Sequence, residues 1–192
     1  MLNEQSLERA LDALGETLDA RDLAYELVAS GGSGLLLLGL IARPTRDLDV
    51  IALVEQGAYV KADPLPDPLL EAIRDVGQVL GIGQTWLNAG PADLLDFGLP
   101  SGFESRVVTR SYGPLTLHVA SRDDQVAFKL YAAVDTGPTG KHFQDLGALK
   151  PTREELLEAA RWARTHDPSP GFREQLLRGL AALGVEDASA AL

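Results

Sequence analysis

The spacing of hydrophobic side chains changes from a helical to a strand pattern near the start of the chain. Between Asn3 and Asp19, leucines and alanines recur every three or four positions, which predicts an amphipathic helix. Residues 25–30, YELVAS, are short and partly alternating, and two glycines follow them. This pattern is typical of a strand that ends in a tight turn, so the chain is predicted to open with a helix and a strand.

The next hydrophobic stretch, SGLLLLGLIA at 33–42, is rich in leucine and poor in β-branched residues. It predicts a buried helix that begins near Ser33. The ARPT segment ends this helix, because a proline disfavours the helical conformation in the residue before it. A strand pattern resumes in DLDVIALV at 47–54. The predicted unit is therefore strand, Gly-Gly-Ser turn, helix, proline break and strand.

The rest of the chain predicts one helix at 66–81, mostly loop with a short helical turn at 85–105, and two strands within 106–121 around a Tyr-Gly-Pro turn. Helices follow at 121–134, 141–149, 151–166 and 172–183, with a Gly/Pro/Thr loop at 135–140. The pairs Ser121 with Asp124 and Thr152 with Glu155 have capping-box spacing. We expect an α/β fold in which residues 1–150 form the core domain, including the N-terminal helix, and residues 151–192 form a C-terminal helical extension packed on that core.

Composition narrows the class of protein. The 192 residues, 45% of them hydrophobic, suffice for one domain with a core, and the absence of cysteine excludes disulfides and thiolate metal sites. The hydrophobic run at 34–42 is too short to cross a bilayer and the N-terminal segment lacks signal-peptide features, so we expect no membrane association and a cytoplasmic location. The net charge of −11 argues against a surface that binds nucleic acid everywhere. Residues 106–164, with Arg43 and Arg46, leave room for a local basic face, although a solvated mixed-charge surface explains them equally well.

Two aspartates interrupt the predicted strand at 47–54. Side chains alternate along a strand, so Asp47 and Asp49 share one face, where they are placed to hold Mg²⁺ or Mn²⁺ together with substrate phosphates. The glycines Gly31 and Gly32, with Ser33, stand at a predicted helix N-terminus, where N–H groups favour a phosphate. Together these residues predict a site for a nucleoside triphosphate. A solvated strand edge, or a salt bridge to a nearby arginine, is the alternative explanation of the acid pair.

The order of these motifs resembles a known family. GGS, followed by RPTRDLDV, the later DQVAFKLYA and the still later KHFQDLGAL, is similar to the polymerase β-like nucleotidyltransferases, and within them to the AbiEii/MenT type of toxin nucleotidyltransferase. The resemblance covers roughly residues 25–149 and is weakest at 55–105. It implies a small mixed-sheet nucleotidyltransferase core and transfer of an NMP group from an NTP to a hydroxyl, most plausibly the 3′ end of a tRNA.

The resemblance also implies roles for individual residues. Asp47 and Asp49 would bind the metal, Lys129 would neutralise triphosphate charge, and Asp145 would match the last acidic position of the family. The implied nucleotide-binding residues are Gly31, Gly32, Ser33, Thr45 and Arg46. A toxin of this type acts beside an antitoxin protein, which is thus an implied partner.

Other readings of the same residues stay open. Many members of the superfamily carry a third carboxylate on a later strand, where this chain offers only His118 as a titratable group. The acceptor is alternatively a protein side chain or a small molecule, or the chain is a non-catalytic binding or antitoxin module with this fold. Thr45 shares the predicted face of Asp47, so its phosphorylation would place negative charge beside the metal site and oppose NTP binding.

Overall fold

The computed structural model describes residues 1–137 and 140–192. Within them the helices are α1 (Glu4–Asp19), α2 (Gly31–Leu37), α3 (Asp67–Leu80), α4 (Phe103–Arg106), α5 (Arg122–Thr136), α6 (Lys141–Leu149), α7 (Arg153–His166) and α8 (Pro170–Ala182). The strands are β1 (Tyr25–Ser30), β2 (Leu48–Glu55), β3 (Ala58–Lys61), β4 (Leu87–Asn88), β5 (Val108–Tyr112) and β6 (Leu115–Val119). The predicted α/β class is confirmed. Of the predicted loop at 135–140, Pro138 and Thr139 lie outside the described residues.

The chain divides into two compact units, Met1–Ala120 (unit 1) and Ser121–Leu192 (unit 2). The division falls at 120/121, whereas the sequence suggested 150/151. Helices α5 and α6 belong with the C-terminal helices because α5 packs against α6, α7 and α8.

Unit 1 is built on a mixed sheet with the strand order β3-β2-β1-β6-β5, and β4 pairs with β2 on the same side as β3. Strand β1 is central, parallel to β6 and antiparallel to β2. Alternate residues of these strands, such as Leu27, Ala29 and Leu117, are buried with helices α1 and α3 in one hydrophobic core. Burial of that face of the sheet is the main stabilisation of unit 1.

Local sequence signals set most helix boundaries. Asn3 and Ser6 exchange side-chain and backbone hydrogen bonds in a capping box at the start of α1, and Thr152 and Glu155 do the same for α7 as predicted. Ser121 caps α5 by accepting a hydrogen bond from the Asp124 N–H group.

Helix α2 is shorter than predicted and begins at Gly31 rather than near Ser33. It ends at Leu37, and Gly39 shortly afterwards adopts a left-handed conformation with φ of 67°. The guanidinium of Arg110, on β5, donates to the Leu37 carbonyl and to the Glu8 carboxylate at 3.0 Å. A side chain distant in sequence therefore satisfies the C-terminal end of α2.

Two strands were not predicted: β3 lies at 58–61, where the sequence indicated no element, and β4 lies at 87–88, within the predicted loop. β3 forms a hairpin with β2 in which Glu55 pairs with Ala58, and β4 adds a short parallel pair in which Asn88 lies opposite Asp49. Trp86, just before β4, is buried and donates its indole N–H to the Ile73 carbonyl at 2.9 Å. None of the helices in the described ranges has the length and hydrophobicity needed to span a membrane.

Unit 2 is a group of four helices in which α5 packs against α6, α7 and α8. Five aromatic or imidazole rings from α5, α7 and α8 pack edge-on or tilted against one another, with centroid distances between 4.2 and 6.0 Å: Phe128, Tyr131, Trp162, His166 and Phe172. Trp162 is therefore a packing residue of this unit.

Candidate nucleotide site

The Gly-Gly turn brings the start of α2 into direct contact with β2. Gly31 has φ of 76°, and a Cβ atom there would lie 2.3 Å from the Asp49 Oδ2 atom. A Cβ atom on Gly32 would lie 2.7 Å from the Thr45 methyl carbon. A Cβ atom at either position would displace the Asp49 carboxylate or the Thr45 side chain, and the positive φ of Gly31 adds backbone strain for any other residue.

Ser33 and Thr45 hold the segment before β2 against α2. The two hydroxyl oxygens are 2.9 Å apart, and the Ser33 hydroxyl also donates to the Asp47 carbonyl. Ser33 is fully buried and Thr45 is 5% exposed. The backbone of Thr45 pairs with Leu2 in an isolated antiparallel bridge.

This geometry corrects the expected roles of both hydroxyl groups. The sequence suggested that Ser33 and Thr45 face the phosphates, but both hydroxyls point inward and bond to each other. Their contacts position the Asp47 backbone instead. Phosphorylation of Thr45 requires this buried turn to open.

Asp47 lies just before β2 and Asp49 is the second residue of that strand, and both residues are half-buried. Asp49 pairs with Ser30 in the ladder between β1 and β2, and Asp47 is two residues away along the same extended segment. Among the described residues no group of three or more acidic, histidine or cysteine side chains has the arrangement of a metal cage. A two-carboxylate donor set nevertheless suits Mg²⁺, which commonly takes one or two carboxylates and completes its shell with water and substrate phosphates.

Two further residues lie at this site that the sequence did not assign to it. The Arg43 Nη2 atom would be 3.5 Å from a Cβ atom on Gly32, so a positive charge lies beside the glycine turn. Asn88 on β4 lies beside Asp49 and accepts the Gly90 N–H through Oδ1 at 2.8 Å. The closeness of Arg43 to Asp47 and Asp49 in the RPTRDLD segment was a sequence signal that Arg43 belongs to the site. No residue near Asn88 in the sequence indicated that Asn88 would lie beside Asp49. Arg46, which was predicted to bind the nucleotide, has an exposed side chain.

Lys129 and Asp145, the two predicted residues in unit 2, form an ion pair with each other. Lys129 Nζ on α5 lies 2.9 Å from Asp145 Oδ2 on α6, and the side chains are 5% and 1% exposed. The pair therefore links α5 to α6 in the interior of unit 2. The structure thus brings together two residues that the motif resemblance had singled out separately, Lys129 and Asp145.

His118, the titratable residue of the strand on which many members of the polymerase β-like superfamily carry a third carboxylate, is engaged elsewhere. Its Nε2 atom lies 3.0 Å from Glu26 on β1 and its Nδ1 atom lies 3.1 Å from Thr109 on β5. The imidazole is therefore held by partners other than the Asp47 and Asp49 carboxylates.

Comparisons with protein-family models, with curated proteins and with solved structures find no match to this chain. A function for this chain is therefore inferred from the geometry of the site and from the motif resemblance.

Proposed function

We propose that the protein is a metal-dependent nucleotidyltransferase that moves an NMP group from an NTP to a hydroxyl acceptor. The observation that carries this proposal is the contact between the Asp49 carboxylate and the Gly31 backbone, with Asp47 two residues earlier in the chain, just before β2. A carboxylate pair directly against a glycine turn is suited to bind a triphosphate with a divalent cation between them.

In the proposed reaction the acceptor hydroxyl oxygen attacks the α-phosphorus of the NTP. The bond from that phosphorus to the bridging oxygen of the β-phosphate breaks, pyrophosphate leaves, and the hydroxyl proton passes to solvent. Asp47 and Asp49 would hold Mg²⁺, which supplies charge stabilisation at the phosphoryl oxygens. The Gly31–Gly32 backbone would admit the phosphates closely, and Arg43 would add positive charge beside the glycine turn.

The roles of Lys129 and Asp145 in this proposal are linked. The resemblance gives Lys129 a role in neutralising triphosphate charge, and its ion pair with Asp145 would fix the position of the ammonium group. Because the pair is buried, Lys129 also contributes to the stability of unit 2. A test of its role in catalysis must therefore measure stability as well as activity.

The resemblance to toxin nucleotidyltransferases supports the 3′ end of a tRNA as the acceptor, and an antitoxin protein as a partner. NTPs and tRNA are intracellular substrates, so we place the reaction in the cytoplasm. The acidic net charge of −11 means that RNA phosphates would be met by a local group of arginines and lysines rather than by the whole surface.

The experiment that tests the proposal uses the purified protein, Mg²⁺, each α-³²P-labelled NTP in turn, and total tRNA with cell extract. The matched variants are Asp47→Asn/Asp49→Asn, which removes the charges with little change in shape, and Asp12→Asn, an exposed aspartate on α1. We expect label on RNA, a loss of about 100-fold or more in the double variant, and no change for Asp12→Asn.

Each other result leads to a definite conclusion. Label on protein or on a small molecule keeps the chemistry and changes the acceptor. No label with any NTP, from a protein shown to be folded by circular dichroism, rejects the enzyme in favour of a non-catalytic binding module.

A further inference from the structure

A second group of reactive side chains lies on unit 1, across three neighbouring strands. Glu26 on β1, His118 on β6 and Thr109 on β5 form a continuous hydrogen-bonded row. Thr109 pairs directly with His118 in the antiparallel ladder, and Glu26 is two residues from Val28, the parallel partner of His118. The three side chains therefore project from the same face of the sheet.

The chemistry of the row determines the direction of its hydrogen bonds when the imidazole is neutral. An ionised glutamate only accepts hydrogen bonds, so the His118 Nε2 atom must carry the proton that is shared with Glu26. The Nδ1 atom then has a lone pair, and the Thr109 hydroxyl donates to it. A hydroxyl bonded to a base that a third group orients is the arrangement of an activated nucleophile.

Exposure distinguishes this row from an internal structural network. Thr109 is exposed, Glu26 retains 53% of its side-chain exposure, and His118 retains 18%. Ser111 lies two residues further along β5 on the same face, is also exposed, and pairs with Thr116 rather than with a histidine. Ser111 is thus a built-in control for a hydroxyl without a base.

We propose that Thr109 is a covalent acceptor site for the nucleotidyl group, activated by His118 and Glu26. This inference depends on the proposed function, because an NTP supplies the electrophile. The Thr109 oxygen attacks the α-phosphorus, a phosphoester bond forms, the bond to the β-phosphate bridging oxygen breaks and pyrophosphate leaves. The hydroxyl proton passes to the His118 Nδ1 atom, and Glu26 stabilises the resulting imidazolium.

The transfer takes place between two copies of the chain. Asp49 on β2 and Thr109 on β5 are separated by three strand spacings in the order β2-β1-β6-β5, a lateral distance of about 14 Å. Attack requires the oxygen and phosphorus to approach within about 3.5 Å. The hydroxyl of one copy must therefore meet the NTP that another copy holds.

The test mixes two variant chains, one that lacks the acceptor hydroxyl and one that lacks the metal ligands. Thr109→Val keeps the acid pair but lacks the acceptor, and a tagged Asp47→Asn/Asp49→Asn chain keeps the acceptor but lacks the metal ligands. With Mg²⁺, an α-³²P-labelled NTP and tRNA in the same tube, we expect label on the tagged chain, located at Thr109 by peptide mass spectrometry.

Three further tagged chains test the activation. His118→Gln and Glu26→Gln, each added to the acceptor chain, should lower its labelling rate, by about 100-fold for the loss of the base. Ser111→Ala should leave labelling unchanged. Two separate variants of the row guard against misfolding of either one.

The two proposals fail in distinguishable ways. Label on RNA without label on the tagged chain overturns the acceptor site and leaves the nucleotidyltransferase intact. Label on Ser111, or labelling of Thr109 that does not respond to His118→Gln or Glu26→Gln, overturns the role of the row. No label on RNA or on either chain overturns the acceptor site, and it rejects the nucleotidyltransferase as well when the assay with cell extract also gives no labelled product.

Discussion

The buried ion pair between α5 and α6 gives the sharpest prediction about unit 2. The Lys129 and Asp145 side chains are 2.9 Å apart and almost fully buried. Replacing Lys129 with methionine keeps an unbranched side chain of similar length, but it leaves the Asp145 carboxylate buried without this ammonium group. Removing one partner of a buried pair costs about 3 to 5 kcal/mol, so we expect the free energy of unfolding to fall by that amount.

The double variant Lys129→Met/Asp145→Leu separates the charge effect from packing. Replacing both members of a buried pair by hydrophobic residues is often close to neutral, so the double variant should recover most of the stability lost by the single one. Lys141→Met, at an exposed lysine on α6, serves as the control and should change stability by less than about 0.5 kcal/mol.

Urea unfolding followed by fluorescence measures this effect. Trp162 lies in unit 2 against Phe128 and Tyr131, whereas Trp86 lies in unit 1, so hydrogen exchange of α5 amides is measured alongside to assign the loss to unit 2. A loss below about 1 kcal/mol for Lys129→Met, or a double variant no more stable than the single one, would refute the reasoning.

The result also bears on the proposed role of Lys129 in nucleotide binding. If the double variant is as stable as the wild type but inactive in the labelling assay, the Lys129–Asp145 pair acts in the reaction as well as in the fold. If it is stable and fully active, the lysine is a structural residue only.

Two further predictions concern unit 1. In Gly15→Ala the new Cβ would lie 2.0 Å from the Tyr112 carbonyl oxygen, so we expect the free energy of unfolding in urea to fall by about 1 to 3 kcal/mol. The control is Gly147→Ala on α6, where the space is open and the position is helical, and it should be neutral or stabilising by up to about 1 kcal/mol. Equal effects of the two substitutions would contradict this prediction. Burial and the hydrogen bond to Glu8 raise the pKa of Tyr112 above its ordinary value of 10.0, so its contribution to stability is complete below pH 10 and declines as pH rises above it. Tyr112→Phe should therefore flatten the fall in unfolding free energy as the pH rises above about 10, where the tyrosine of the unfolded chain ionises, and an unchanged slope would disprove the assignment.

Much of the local structure could be predicted from the sequence because its causes are local. The leucine spacing of α1, the capping boxes of α1 and α7, and the Tyr-Gly-Pro turn between β5 and β6 depend on residues within a few positions of one another. The acid pair and the glycine turn were recognisable for the same reason, since each is a short pattern.

The contacts that give those patterns their chemistry are not local. The inward hydrogen bond between Ser33 and Thr45, the approach of Arg43 to Gly32, and the place of Asn88 beside Asp49 join segments that are distant along the chain. A hydroxyl next to an acid pair in sequence gives no sign of which way it points, because its direction depends on where α2 packs.

The sequence by itself determined most of the succession of helices and strands, and it predicted that Asp47 and Asp49 would share one face of a strand. Only the tertiary structure decided the shortened α2, the pairing of Lys129 with Asp145, and the row from Glu26 through His118 to Thr109. Periodicity and capping act over one or two turns of chain, whereas strand order, register and helix packing select which distant side chains meet.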